Sequence, residues 1–102
     1  MFTTGLRQDL QAKLETFTTN VYFQPPAGMQ MVYPCIVYKR RDSDTDFADN
    51  DPYRIQNRYE VTVIDEDPDS LIPAKVASMK TALHNRFFIA GNLNHDVYVL
   101  YF

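Results

Sequence analysis

The feature that most limits what this chain can fold into lies at residues 29–66, where two apolar stretches flank an acidic one. The first reads Met29-Gln-Met-Val-Tyr-Pro-Cys-Ile-Val-Tyr-Lys-Arg-Arg, and the last Arg54-Ile-Gln-Asn-Arg-Tyr-Glu-Val-Thr-Val-Ile-Asp-Glu. Both are rich in β-branched and aromatic residues, which suit a pleated, half-buried surface. Between them, Asp42-Ser-Asp-Thr-Asp-Phe-Ala-Asp-Asn-Asp-Pro-Tyr repeats aspartate too densely to be buried and reads as a polar loop. The rest of the chain is then cover for a sheet.

Size and charge narrow the field. At 102 residues the chain can build one hydrophobic core and not two, so a single domain over 1–102 is expected. With 45% hydrophobic and 23% charged residues it has a globular composition. A net charge of -3 argues against wrapping nucleic acid, which needs a basic face, and no nucleic-acid sequence recognition is expected. The single cysteine, Cys35, excludes an internal disulfide framework. No apolar run approaches the roughly 20 residues that span a bilayer. The opening Met1-Phe-Thr-Thr-Gly-Leu-Arg-Gln-Asp lacks the apolar centre of a signal peptide. A cytoplasmic setting with no membrane partner is expected.

In chain order, Leu6, Leu10, Leu14 and Phe17 form one apolar stripe among polar residues, a helix capped by Thr3 or Thr4 and ended by Thr18, Thr19 and Asn20. Val21, Tyr22 and Phe23 read as a short strand, halted by Pro25-Pro26 because proline has no donor for the ladder. Residues 25–30 are a loop. In the first central strand Tyr33, Cys35 and Val37 alternate with Pro34, Ile36 and Tyr38, so both faces are apolar. In its partner Ile55, Tyr59, Val61 and Val63 face a core, opposite Gln56, Arg58, Glu60 and Thr62. Asp65-Glu-Asp-Pro-Asp-Ser then signals a turn and a helix start, with acidic residues at the positive end and Pro73 in the first turn. Ile72, Val76, Met79 and Leu83 recur at helical spacing. Residues 86–90 read as a strand, Gly91-Asn-Leu-Asn as a hairpin turn and 96–102 as a last strand.

The expected fold is therefore α+β, ordered α-β-β-β-α-β-β, with a mostly antiparallel or mixed sheet and two helices, most simply both on one face. The last strand is apolar on both sides, through Val97, Val99, Tyr101 and Tyr98, Leu100, Phe102. Two readings stay open: its uncovered face or edge is a subunit contact, or the strand is central and closed by loops.

Chemical candidates are sparse. Cys35 sits in an apolar strand, where a packed thiol is expected rather than a nucleophile, which needs a nearby base and an accessible site. His84, read as following the second helix, and His95, read as part of the hairpin turn, have no metal-ligand spacing. No Gly-rich phosphate loop occurs, and the carboxylates map to loops or solvated faces. No catalytic residue, cofactor or metal is expected. Asp42, Asp44 and Asp46 match the first three positions of an EF-hand loop, but Phe47 replaces its glycine, Tyr53 its closing glutamate, and strands flank it. The acidic segment reads instead as a solvated loop, or as a docking arm that orders against a basic partner.

The combination Tyr33-Pro-Cys-Ile-Val-Tyr, Ala48-Asp-Asn-Asp-Pro-Tyr, Arg58-Tyr-Glu-Val-Thr-Val-Ile-Asp-Glu-Asp-Pro-Asp-Ser and Asn92-Leu-Asn-His-Asp-Val-Tyr resembles the tail-completion (tail-terminator) proteins of long-tailed, siphovirus-type phages and prophages of Gram-positive bacteria. The likeness covers nearly the whole chain, from about Leu6 onward, in short structural patterns. It implies a non-enzymatic virion protein that caps the head-proximal end of the tail tube, ends its polymerisation and offers the head-joining surface, usually as a six-fold ring. The implied partners are further copies of itself, the tail tube protein and the head connector or neck protein. Assembly would take place in the host cytoplasm, and the mature location would be the virion's tail or neck. A neck or head-completion adaptor, or a tube subunit, is the alternative role. The family has no catalytic residues to carry over. The residues expected to make protein contacts are Lys39, Arg40 and Arg41, the aspartates Asp42, Asp44, Asp46, Asp49 and Asp51, and Tyr101 and Phe102.

Overall fold

Leu10 and Leu14 lie one helical turn apart, and burying that stripe is what makes a helix of an otherwise polar segment. The computed structural model describes the backbone of residues 7–48 and 51–102, and the side chains of these outside 43–56. In it α1 spans Arg7–Glu15, and both leucines are fully buried. The expected caps Thr3 and Thr4, and Leu6, lie outside the described residues. The helix ends where the Thr16 hydroxyl takes the Lys13 carbonyl at 2.6 Å.

Five strands follow: β1 (Val21–Phe23), β2 (Cys35–Ala48), β3 (Asp51–Asp65), β4 (Leu83–Ala90) and β5 (Leu93–Tyr101), with α2 (Ile72–Ala77) between β3 and β4. They form one sheet in the order β1-β2-β3-β5-β4, with β1 parallel to β2 and all other pairs antiparallel. The α+β reading and its element order hold. Strand register puts Ile36, Tyr38, Tyr59, Val61, Val63, Tyr98 and Leu100 on one face. Leu10 and Leu14 of α1 and Ile72 and Val76 of α2 join them in a single core, so both helices cover the same side. A polar triad pins α1 there: Arg7 Nη1 donates to the buried Tyr38 hydroxyl at 3.0 Å, and that hydroxyl donates to Gln11 Oε1.

Four sequence expectations need correction. The first central strand begins only at Cys35, and residues 24–34 approach it as loop. Helix α2 ends at Ala77, before Met79 and Leu83, because the Ser78 hydroxyl takes the Lys75 carbonyl at 2.6 Å and Thr81 turns left-handed at φ 69°. Leu83 opens β4 and is 73% exposed, so its helical spacing from Ile72 was a coincidence of period. No acidic residue lies in the first turn of α2. Asp65 and Asp67 instead accept the amides of Asp67 and Asp69 in local turns, at 3.0 and 2.9 Å, and Asp65 is buried rather than solvated.

The largest correction concerns the acidic segment, which is no loop. Strands β2 and β3 stay paired as far as Ala48 opposite Asp51. Aspartate is rare in strands because most strands have a dry face, and this ribbon has no third strand beside it beyond Asn57. Strand β5, in contrast, is central: Val97, Tyr98 and Leu100 are buried, which favours the second of the two readings of this strand. The hairpin before it turns at Gly91 and Asn92, both with positive φ (57° and 64°), the geometry that matches strand twist in a two-residue connection.

Candidate interaction surfaces

Among the described residues three parts of the sheet lack a neighbouring strand: the outer edge of β1, where Gln11 of α1 donates to the Val21 carbonyl at 3.4 Å, the distal β2–β3 ribbon and the outer edge of β4. The ribbon's root is built by a bulge. Arg40 pairs with Tyr59 and Asp42 with Arg58, leaving Arg41 as the extra residue on β2. That one-residue insertion brings Asp42 onto the face of Arg58. The guanidinium grips the carboxylate through both Nε, at 2.6 Å, and Nη2. The bond from Arg58 holds the Asp42 carboxyl below its ordinary value of 3.8. Arg58 also sits 5.9 Å from the centre of the Tyr101 ring, its cross-strand partner on β5. The last position of β5 and the first of the arm are thus tied together at one level.

Inward of the root, β1 closes the ladder only briefly. Gln24, at φ 44°, leaves the strand, and its Oε1 accepts the Arg40 amide at 3.3 Å. Lys39 is exposed and 3.6 Å from Glu60. Outward, Asp44 stands opposite Gln56 and Asp46 opposite Arg54 in the backbone register, and Asp51 opposite Ala48. Asp49 lies outside the described residues. The structure therefore brings Lys39, Arg40, Arg41, Asp42, Asp44, Asp46 and Asp51 onto one hairpin, together with Arg58 at its root. Phe102 belongs elsewhere: it packs against the core, and with Tyr101 it lines a cleft of about 650 Å³ shared with Asp9, Lys13, Met79, Lys80 and Thr81.

Strand β4 was not among the sequence candidates. All eight of its residues are exposed, including Leu83, Phe87, Phe88 and Ile89. It pairs with β5 on one side and is the last strand in the sheet, so the other row of backbone groups faces outward. A bulge at Asn85 lets the strand present groups on both faces. On one side His84 is 3.2 Å from Asp96 and stands edge-on to Tyr98; on the other Phe88 stacks on His95 at 4.5 Å, with Arg86 over its ring. Both histidines are thus strand residues, not a helix end and a turn. The signal for this edge was in the sequence Leu83-His-Asn-Arg-Phe-Phe-Ile-Ala, whose apolar cluster has no alternation and so no wholly buried face.

Cys35 is fully buried, and burial, with the Asp65 charge second, pushes its thiol up to about 11. Among the described residues no three His, Cys, Asp or Glu side chains converge as metal ligands, and no helix is long and apolar enough to cross a membrane. No protein-family model matches the chain, and no curated protein matches it.

Proposed function

We propose that this chain is a non-enzymatic structural subunit of a long-tailed phage, a tail terminator that caps the head-proximal end of the tail tube as a ring, with six copies implied by the family resemblance. Its partners are then copies of itself, the tube protein below and the head connector above, in the virion's tail or neck. The observation that carries this reading is that the sheet ends in two unlike features, a charged hairpin arm and an exposed, apolar edge strand. Unlike surfaces meet head to tail, and a head-to-tail contact that closes by rotation makes a ring. A self-complementary dimer needs one patch, not two.

The test is disruption of the gene in its phage, with tail lengths measured by negative-stain electron microscopy. Over-long tubes, or tails detached from full heads, restored by adding the purified protein, are the expected result. Normal tails on normal heads overturn the assignment. Tubes formed by the purified protein alone would instead identify a tube subunit.

A further inference from the structure

We propose that the open edge of β4 is the dock for the acidic β2–β3 arm of a second copy of this chain, which adds the arm to the sheet as further strands. The proposal deepens the ring reading above and rests on it for the closing of the chain of contacts. Three observations point to this occupant.

The first is charge. Residues 43–56 hold four aspartates and one arginine, a net charge of -3. Residues 70–95, which contain β4 and α2, hold Lys75, Lys80 and Arg86 and no Asp or Glu, a net charge of +3 with the histidines neutral. Each segment alone repels another copy of itself, and each attracts the other. Pairing of β4 with β4 would bring the two Arg86 groups together; pairing with the arm does not.

The second is reach. Across the sheet, Leu83 stands level with Val99, Glu60 and Lys39. From that level β2 runs outward and β4 runs the opposite way, so Ala48 lies about 30 Å past the start of β4. The arm points away from its own β4 and cannot fold onto it. The complementary charges must meet between copies.

The third is fit of length and chemistry. Seven paired β2 residues, 42–48, face an open edge of eight, Leu83–Ala90. A two-stranded ribbon is marginal in water and gains from a third strand, and an apolar edge strand gains from being covered. Lys13 and Lys80 line the cleft beside the start of β4 together with Asp9, so that its charged side chains leave one net positive charge there.

Copies carrying one added cysteine decide it, because the native Cys35 is buried and stays in place. One copy carries Ser43→Cys or Thr45→Cys, the other Phe87→Cys or Ile89→Cys. They are mixed in every pairing at about 1 mM protein and low salt in a glutathione redox buffer. The expected main covalent product is the mixed arm-to-β4 disulfide, which disappears above about 0.5 M salt and in a copy with Asp44→Asn, Asp46→Asn and Asp51→Asn. Circular dichroism of each variant confirms that it is folded. A dominant β4-to-β4 disulfide overturns the proposal in favour of edge-to-edge pairing, and folded variants that give no covalent dimer overturn it outright. The tail-length assay is independent. Overgrown tails without the protein, together with no mixed disulfide, would reject the arm contact and leave the terminator role standing. The reverse result would reject the role and keep the contact.

Discussion

Strand β3 runs unbroken from Asp51 to Asp65, yet its two ends are held by different means. From Arg58 onward it lies between β2 and β5, and Tyr59, Val61 and Val63 pack beneath two helices. At Asn57 the carbonyl still accepts the Phe102 amide at 3.0 Å, and before it β3 pairs with β2 alone among the described strands. The ladder to β2 runs through both halves, with a register shift between Asp46 and Phe47 in the outer one, and only the inner half is also bonded to β5. What differs further is cover, and cover is where most of the stability of a sheet comes from. The body is packed beneath two helices, whereas the arm is a two-stranded ribbon.

The largest effect expected from this contrast is in the body. Leu14→Ala removes a fully buried side chain from the helix–sheet core and is expected to cost about 2–5 kcal/mol in urea or thermal unfolding. Replacing residues 44–56 by Asn-Gly, which closes a two-residue turn on the Ser43–Asn57 pair, is expected to leave the stability of the monomer within about 1 kcal/mol of the full chain. If the shortened chain unfolds with the loss seen for Leu14→Ala, the arm belongs to the folding core and the contrast fails. Hydrogen exchange sharpens the same point. Amides of residues 59–64 should exchange only with global unfolding, and those of 44–48 through local opening of the ribbon.

Much of this division was legible in the sequence, and what escaped has a physical cause. The stripe Leu10, Leu14 and the alternation Tyr59, Val61, Val63 each follow one period against one buried face, so α1 and the core half of β3 could be placed. The arm escaped because dense aspartate argues against a strand, and here the backbone of 42–48 pairs with β3 all the same. Of β4, residues 86–90 were read as a strand, and what escaped was its start at Leu83 and its place at the open edge of the sheet. Phe87, Phe88 and Ile89 are consecutive, so no parity marks an inside, and Leu83 falls by chance on the helical period of Ile72 and Val76. Tyr101 and Phe102 were singled out because an apolar strand end looks uncovered; β5 is interior in the sheet, yet both residues stay half-buried and line the open cleft. Sequence period reports how a segment is covered by its own chain. It says little about where a strand stands in the sheet.

The smallest expected effect sits at the boundary between the two regions, where Arg58 holds Asp42. The bond lowers the Asp42 pKa from 3.8, so the folded state binds that proton less readily than the unfolded chain. The pair's contribution is therefore complete above the ordinary carboxylate value and is lost as the pH falls below it, through the lower folded value. Both side chains are partly exposed, and screening keeps the effect on overall stability small. The direct measurement is a carboxyl titration by NMR. Asp42 should show a midpoint below 3.8 in the native protein and return to the ordinary range in Arg58→Gln. The same variant should speed exchange of the amides of 44–48 while leaving 59–64 unchanged, since it loosens the arm at its root and not the sheet beneath the helices. An Asp42 midpoint that does not respond to Arg58→Gln would mean that the bulge at Arg41, rather than the ion pair, fixes where the arm begins.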